Sequence, residues 1–306
     1  MIYVLGHNYP QTDVDSIISS IVLADMLNQK GRPAKPVIIN PNAINQVSID
    51  IIGRIGGLEL PELETLEEVI NNKIVLVDHN NPLESYGFCL TNKAPGNIST
   101  IKMPILCIDH HADSGYPAKA KVIERVGSTC TLLTEILRND NIRLSDLLVR
   151  ALVYGIVCDT KGLKSRKTCQ RDRKAINYLY NNYKIRVAIN KVIEHVLAFT
   201  DILSMDIEQI LSNSLKEYDN GNIGMASIEV LNDDYMTRLE EIKERAVHTK
   251  YPLYILMILK QHKNETLVYY FDRKYHVFPE VERYEGLISR SQDLVPYVLS
   301  KTAKKV

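Results

Sequence analysis

The segment MIYVLGHNYPQTDVDSIISSIVLADML, residues Met1–Leu27, predicts a strand followed directly by a helix. Its apolar run over Tyr3–Leu5 is short and rich in branched side chains, which is typical of a buried strand. Ile17, Ile21 and Ala24 then recur at the spacing of one helix face. A histidine and two aspartates lie between these elements. The segment therefore indicates a parallel α/β sheet with polar side chains at a strand end.

The same alternation continues along the first half of the chain. Short apolar runs predict further strands at Pro36–Ile39, Ile74–Val77 and Ile105–Ile108. Periodic stretches predict further helices at Leu144–Tyr154 and Asp172–Tyr183. We therefore predict a mainly parallel sheet flanked by helices, with functional residues at the carboxyl ends of its strands.

The second half has a different pattern. Strand-like runs at Ile223–Val230, Leu253–Leu259 and Leu267–Phe271, with a charged helical stretch over Asp233–Val247, predict a smaller α+β domain. We predict three regions in all: a first domain over residues 1–185, a linker over 186–194 and a second domain over 195–306.

The composition is that of an ordinary globular protein, with 45% apolar and 24% charged residues among 306. Lys and Arg total 37, as do Asp and Glu, so no net field would attract nucleic acid or an anionic membrane, and we expect neither partner. We recognise no secretory signal and no apolar run of about 18 residues. The five cysteines are scattered, as is typical of reduced thiols, and together these features predict a cytoplasmic protein.

Acidic and histidine side chains follow the predicted strands. They are His7 after the first strand, Asp13 and Asp15 at the helix entry, Asp78 after the third strand, and Asp109, His110 and His111 after the fourth. Taken singly, each has an ordinary alternative, such as a helix cap for Asp15, a hydrogen-bonded histidine for His7 or a turn residue for Asp78. At one sheet edge, however, the carboxylates would repel one another and resist burial unless a cation neutralised them. We therefore predict a metal site.

The donor types indicate which metals would suit this site. Imidazoles and carboxylates without thiolates favour Mn²⁺, Co²⁺ or Mg²⁺ at octahedral sites over a structural zinc. Several carboxylates also allow one group to bridge two ions about 3.5–4 Å apart, as in metal-dependent phosphoryl hydrolysis.

Four motifs, in this order, resemble the signature of the DHH phosphoesterases. They are Gly6–Ser16, Val77–Asn80, Ile108–His111, and Cys158–Thr160 with Leu163–Ser165. In the second half, Leu215–Tyr218 and Ile288–Arg290, followed by Leu294–Pro296, resemble the substrate-binding motifs of a DHHA2-type domain. The resemblance covers most of the chain. Within the superfamily it is to the manganese-dependent family II inorganic pyrophosphatases.

The resemblance implies a role for each matching residue. It implies one metal ion held by His7, Asp13 and Asp78 and a second held by Asp15, Asp78, His110 and Asp159, so that Asp78 bridges the two. Asp109 would orient a histidine ring. Phosphate would be bound in a cleft between the two domains by His111, Lys216, Ser289 and Arg290, of which His111, Lys216 and Arg290 would also act in catalysis.

The implied activity is hydrolysis of inorganic pyrophosphate to two phosphates by a water or hydroxide that bridges two metal ions. The implied cofactors are two Mn²⁺ or Co²⁺ ions per active site, with Mg²⁺ accompanying the substrate, which is pyrophosphate or a short polyphosphate. The family alone implies a homodimer.

Two positions depart from the family pattern. His7 precedes Asp13 by six residues where the family usually has four, and we interpret this as a two-residue loop insertion. The alternative register would place Gln11 and Asp13 at the metal positions. In addition, the family's Ser-Arg-Lys is Ser289-Arg290-Ser291 here, so one phosphate-binding cation is absent.

These departures keep other functions open. One is an exopolyphosphatase or another DHH phosphoesterase that acts on a small phosphoanhydride or phosphodiester. The Gly-rich segment with a histidine that nucleotide-directed members carry is not recognisable here, which makes a nucleotide substrate less favoured. Another is an inactive metal-binding regulatory homologue, which the altered loop and Ser291 would support. Phosphate release from pyrophosphate and longer chains distinguishes the three.

Overall fold

The computed structural model describes residues 1–8, 11–40, 42–44, 46–85, 102–197, 202–203 and 205–303. The chain forms two compact units. The first contains Met1–Leu163 and Thr168–Val196, and the second contains Lys164–Lys167 and Leu197–Val306. A four-residue segment thus belongs to the second unit although its neighbours on both sides belong to the first.

A six-stranded sheet forms the centre of the first unit. Its strands are β1 (Ile2–Leu5), β2 (Ala34–Ile38), β3 (Glu62–Leu63), β4 (Lys73–Val77), β5 (Leu106–Asp109) and β6 (Lys121–Ile123), in the order β3-β2-β1-β4-β5-β6. Each neighbouring pair is parallel. Because β1 pairs with both β2 and β4, the strand order reverses between β1 and β4. Such a switch point opens a crevice at the carboxyl ends of the two strands, where open α/β sheets bind ligands.

Helices cover both faces of this sheet. Those within the described residues are α1 (Val14–Gln29), α2 (Gln46–Ile55), α3 (Leu66–Asn71), α4 (Thr129–Asn139), α5 (Asp146–Asp159), α6 (Gln170–Asn182) and α7 (Ile189–Leu197). On one face, Leu5 and Leu76 pack in a cluster with Val69 of α3. Val4 and Val75, which point to the other face, are equally buried. Burial on both faces explains why these strands are continuous apolar runs.

The second unit contains a five-stranded sheet of its own. Its strands are β7 (Lys216–Tyr218), β8 (Ile223–Val230), β9 (Leu253–Lys260), β10 (Glu265–Asp272) and β11 (Val281–Glu285), in the order β11-β10-β9-β8-β7. The pair β8 and β9 is parallel, and the other described pairs are antiparallel. All eight residues of the central strand β9 are buried, because Leu256 and Ile258 enter one core cluster and Ile255 and Met257 enter another.

Short helices cover the two faces of the second sheet. They are α8 (Ile207–Ser212), a 3₁₀ turn (Asp234–Arg238), α9 (Leu239–Ala246), a π turn (Arg290–Leu294) and α10 (Val295–Thr302). Ile210 of α8 and Ile242 of α9 pack in the cluster that contains Leu256. Val298 of α10 packs in the opposite cluster with Met257.

The predicted fold class is confirmed, since a helix-flanked parallel sheet is followed by a second, smaller sheet domain. Every strand predicted from an apolar run is present to within about two residues. The elements missed within the described residues were four short strands (β3, β6, β7 and β11) and the helices α2, α3, α4, α7, α8 and α10. The charged stretch predicted as one helix begins as a 3₁₀ turn, and the predicted linker contains the start of α7. No helix within the described residues is both long and apolar enough to cross a membrane.

Candidate metal centre

The switch point of the first sheet brings together side chains from the ends of three strands. His7 follows β1, Asp78 follows β4 and Asp109 ends β5, and all three are buried. Gly6 permits a close approach here, because a Cβ at this position would lie 2.7 Å from the carbonyl oxygen of Ser16 in the first turn of α1. The end of the strand therefore meets the start of the helix, with His7 beside it.

Asp13 caps α1 and also contacts His7. Its Oδ1 accepts a hydrogen bond from the Ser16 amide at 2.9 Å, and its Oδ2 lies 3.2 Å from His7 Nε2. About half of the Asp13 side chain is exposed, so the carboxylate can meet a ligand that arrives from solvent. The capping role considered above for Asp15 thus belongs to Asp13.

Asn8, which the sequence did not single out, anchors the loop that carries His7. Its Oδ1 accepts hydrogen bonds from the amides of Ile39 at 2.9 Å and Asn40 at 2.7 Å, just after β2. Its Nδ2 donates to Thr12 Oγ1 at 3.0 Å. The only sequence signal for Asn8 was its position next to His7.

Asp15 is buried in the first turn of α1 and receives three hydrogen bonds. Ser128 Oγ donates at 2.8 Å, the Thr129 amide at 2.7 Å and the Cys130 amide at 3.1 Å. These donors form the N-terminus of α4, whose positive dipole end favours a carboxylate. Sequence reasoning missed this support, although Gly127-Ser128-Thr129 before an apolar stretch is a helix-start signal.

The charge state of Asp15 indicates a need for a cation. Burial raises the pKa of the Asp15 carboxyl well above its ordinary value, and the nearby carboxylates of Asp78 and Asp159 raise it further. The hydrogen bonds, however, are all donated to the Asp15 oxygens, which suits the ionised form. A bound cation would stabilise the ionised carboxylate of Asp15 against burial and the neighbouring carboxylates. The hydrogen bonds from the N-terminus of α4 would then be made to a charged group.

Asp78 occupies a backbone conformation that few side chains adopt readily. Its φ of 62° lies in the left-handed region, which Asp and Asn tolerate better than most residues. Its Oδ2 accepts a hydrogen bond from Ser16 Oγ at 2.6 Å, and its Oδ1 accepts one from Thr129 Oγ1 at 3.0 Å. Its amide donates to the Ile108 carbonyl oxygen at 3.0 Å, so β5 holds the same turn in place.

His110 presents one ring nitrogen to two carboxylates. Its Nδ1 lies 3.1 Å from the carbonyl oxygen of Val126, which can only accept, so Nδ1 carries the proton. In the neutral ring, Nε2 is then an electron-pair donor, and it lies 3.3 Å from Asp78 Oδ1 and 3.1 Å from Asp159 Oδ2. His110 Nε2 and the carboxylate oxygens Asp78 Oδ1 and Asp159 Oδ2 are all electron-rich, and at these distances they repel one another unless a cation neutralises them. A histidine held by a backbone carbonyl in this way is typical of a metal ligand.

Asp109 orients the ring of His111. Its Oδ1 accepts hydrogen bonds from the His111 amide at 3.1 Å and from His111 Nδ1 at 2.9 Å, and its Oδ2 accepts one from Asn80 Nδ2 at 2.5 Å. Burial acts to raise the pKa of the Asp109 carboxyl. The hydrogen bond from His111 and the charges of the His111 and His110 rings outweigh burial and hold this pKa below its ordinary value. The His111 side chain is about one third exposed, so its ring can face a ligand.

These contacts produce three groups of candidate ligand atoms, each with all of its atoms within 4.8 Å of one another. The groups are His7, Asp13 and Asp78; Asp15, His110 and Asp159; and Asp78, Asp109, His110 and His111. All six predicted metal ligands occur in them, and their nitrogen and oxygen donors fit a hard divalent cation. Asp13 occurs in one group and Asp15 in another, as the register with a two-residue insertion predicts, and the choice between that register and the one that uses Gln11 stays a prediction. The metal assignment of each residue stays a prediction.

The second unit contains the remaining predicted site residues, and it brings them together. Lys216 begins β7 and pairs with Met225 of β8. Arg290 Nη1 donates to the carbonyl oxygen of Met225 at 3.1 Å and also to that of Ser214. Ser289 caps the turn that starts at Arg290. Lys216, Ser289 and Arg290 therefore lie in one region of the second sheet.

Comparison with family models identifies the class of protein. The model described as the DHH family, N-terminal domain, matches residues 1–156, more than half of the chain, and the DHHA2 domain model matches residues 196–300. The chain belongs to the DHH family, and the predicted resemblance is confirmed.

Individual relatives are similar over most of the chain. The manganese-dependent inorganic pyrophosphatase of Bacillus subtilis is 24% identical over 324 aligned residues, which cover 99% of this chain and 99% of that protein. A Thermotoga maritima protein assigned as a manganese-dependent inorganic pyrophosphatase is 27% identical over 202 residues, 64% of this chain, and the match spans 34% of the relative's length. A Methanococcus jannaschii crystal structure assigned to the family II inorganic pyrophosphatases has a TM-score of 0.77 at 25% identity, covering 99% of this chain and 100% of that chain.

Proposed function

We propose that this chain hydrolyses inorganic pyrophosphate to two phosphates in a manganese-dependent reaction. The observation that carries the proposal is the cluster of buried carboxylates and histidines at the switch point, where His110 Nε2 faces Asp78 and Asp159. The similarity to proteins named manganese-dependent inorganic pyrophosphatases, over nearly the whole chain in one case, supports the choice of metal and substrate.

Two ions are proposed, one held by His7, Asp13 and Asp78 and the other by Asp15, Asp78, His110 and Asp159. Mn²⁺ or Co²⁺ would bind there, and Mg²⁺ would accompany the substrate. When bound, such ions withdraw electron density from phosphate oxygens and make water acidic enough to act as a nucleophile near neutral pH.

The protein's own residues would position these groups. The N-terminus of α4 would hold Asp15 ionised through its three donors, and Ser16 and Thr129 would fix both oxygens of Asp78. Asp109 would hold the Nδ1–H of His111, and with the ring protonated at both nitrogens its Nε2 would donate a proton to the leaving phosphate and leave the ring neutral.

In the second domain, Lys216 and Arg290 would bind the phosphate groups and stabilise the charge that gathers on their oxygens. The support is their proximity to one another, since the guanidinium of Arg290 is held by the strand residue that pairs with Lys216. With Ser289 they form the proposed phosphate-binding residues of this domain.

The test is phosphate release from pyrophosphate by protein stripped of metal and then supplied with Mn²⁺, Co²⁺ or Mg²⁺. Release that requires metal and is fastest with Mn²⁺ or Co²⁺ is expected. Asp78→Asn keeps the left-handed turn but removes the shared anionic ligand, so activity should fall by more than the roughly 10–100-fold that loss of a supporting residue causes. The matched control is Asp140→Asn at the exposed end of α4, where Asp140 pairs with Lys30. Full activity in Asp78→Asn would contradict the proposal.

Exopolyphosphatase activity is the second candidate, and Ser291 is the observation that favours it, because a weaker pyrophosphate site would discriminate less strongly against longer chains. Tripolyphosphate and longer polyphosphates in the same assay distinguish the two activities. A cytoplasmic location and a homodimer stay predictions.

A further inference from the structure

The segment Lys164–Lys167, with the sequence Lys-Ser-Arg-Lys, belongs to the second unit. Ser165 forms a parallel bridge with Leu287, and the amide of Arg166 donates to the Leu287 carbonyl oxygen at 2.9 Å. Three of its four residues are cationic, in a chain whose formal net charge is zero. The bridge therefore brings a concentrated positive charge to one position of the second domain.

That position adjoins the segment proposed to bind phosphate. Leu287 is followed two residues later by Ser289, and then by Arg290 and Ser291. Because the bridge is parallel, both segments leave it in the same direction, and Lys167 is two residues beyond Ser165. Neighbouring strands lie about 4.8 Å apart at a bridge, and Lys167, in the turn that follows Ser165, and Ser289 each lie two residues from it, within the reach of a lysine side chain.

The three cations of the segment differ in what they do. The guanidinium of Arg166 donates to the carbonyl oxygen of Glu285, and its Nε lies 3.2 Å from where a Cβ on Gly286 would be. Arg166 thus fastens the segment to the second domain. Lys164 is exposed and precedes the bridge, whereas Lys167 and Ser289 follow it along their segments.

We propose that Lys167 binds a phosphate oxygen of the substrate and supplies the positive charge that is absent at Ser291. The inference rests on the proposed function and adds a substrate-binding residue to it. An ammonium on a flexible stem acts as a point charge, so its backbone origin can change as long as its tip reaches the phosphate. Lys167, Lys216 and Arg290 then form the cationic set.

The test compares four proteins: the unaltered chain, Lys167→Gln, Lys164→Gln, and the double variant Lys167→Gln with Ser291→Lys. Lys164→Gln is the matched control, because it removes the same charge from the same segment on the other side of the bridge. KM and kcat for pyrophosphate are measured with Mn²⁺, and the Kd of non-hydrolysable imidodiphosphate is measured by calorimetry. Thermal unfolding checks that each variant is folded.

Lys167→Gln should raise KM and Kd by about tenfold, as expected for loss of one charge-assisted contact, with a smaller change in kcat. Lys164→Gln should change KM by less than about twofold, and Ser291→Lys should return the Lys167→Gln value to within about threefold of the original. Equal effects of the two single variants, or no rescue by Ser291→Lys, would overturn the inference. If the unaltered chain released no phosphate, the proposed function would fail, and the Kd values alone would decide whether Lys167 binds the anion. Unchanged Kd in Lys167→Gln would then refute its role.

Discussion

Replacement of Gly155 by alanine tests the packing that holds Asp15 in place. Gly155 lies in α5, and a Cβ there would be 2.4 Å from Cys130 Sγ and 3.4 Å from Asp15 Oδ1. Non-bonded heavy atoms are ordinarily about 3.5–4.0 Å apart, so Gly155→Ala should force α4 and α5 apart by about 1 Å. The Cys130 amide, which donates to Asp15, would move with α4.

Two opposing effects determine how Gly155→Ala changes the free energy of unfolding. Overpacking a core costs about 1–3 kcal/mol, whereas an interior helical glycine replaced by alanine otherwise gains about 1 kcal/mol. Gly155→Ala should therefore lower the free energy of unfolding of the first unit by about 0–2 kcal/mol. Gly53→Ala in α2 is the matched control, because a Cβ there has no neighbour within 4 Å, and it should show the gain alone. The difference between the two variants isolates the overpacking, about 1–3 kcal/mol.

A double-mutant cycle identifies the clashing atom. Cys130→Ala removes the sulfur, so Gly155→Ala should be less destabilising in that background, with a coupling energy of about 1–2 kcal/mol. Urea titration of the metal-free proteins measures the stabilities, and calorimetric titration with Mn²⁺ measures the metal affinity. The affinity should fall in Gly155→Ala and recover in the double variant. Strictly additive effects of the two substitutions would refute the reasoning.

Three further outcomes are expected. Mn²⁺ at about 100 times its Kd should raise the free energy of unfolding of the first unit by about 2.7 kcal/mol, and Asp78→Asn should lose this gain in a thermal shift assay. Gly224→Ala should destabilise the second unit by more than Gly53→Ala changes the stability of the first, because a Cβ on residue 224 would lie 2.5 Å from the Tyr251 ring. Equal shifts of the urea midpoint in the two variants would contradict this expectation. Three tyrosine hydroxyls donate to Glu282 and, against the opposing effect of burial, lower its pKa. A carboxyl whose pKa is lowered by folding stabilises the folded state at pH values above the ordinary pKa of glutamate, and this stabilisation is lost as the pH falls through the lowered pKa. Glu282→Gln removes the titrating group, so the Tm should depend less on pH in the acid range.

The types of residue at the metal centre, and most of the elements that carry them, could be predicted from the sequence. His7, Asp78 and Asp109 follow apolar runs that are strands because both faces of the sheet are buried. The convergence of those ends could be expected from the parallel arrangement alone. The short strands β3 and β7 escaped prediction, because their two and three residues are exposed or only partly buried and show no apolar alternation.

The supports of the site could not be predicted in the same way. Asp15 receives its hydrogen bonds from α4, more than a hundred residues further along the chain, and Asn8 receives two from the end of β2. Local propensity contains no information about such contacts, since they depend on which helix packs against which.

The sequence by itself determined the alternation of strands and helices, the ordered motifs and the donor types, because these depend on side-chain chemistry and on periods of two and 3.6 residues. Only the tertiary structure decided the left-handed turn at Asp78, the hydrogen bonds from the N-terminus of α4 to Asp15, and the bridge that attaches Lys164–Lys167 to the second unit. The physical reason is that each of these is stabilised by partners distant in sequence, and packing selects such partners only when the whole core forms.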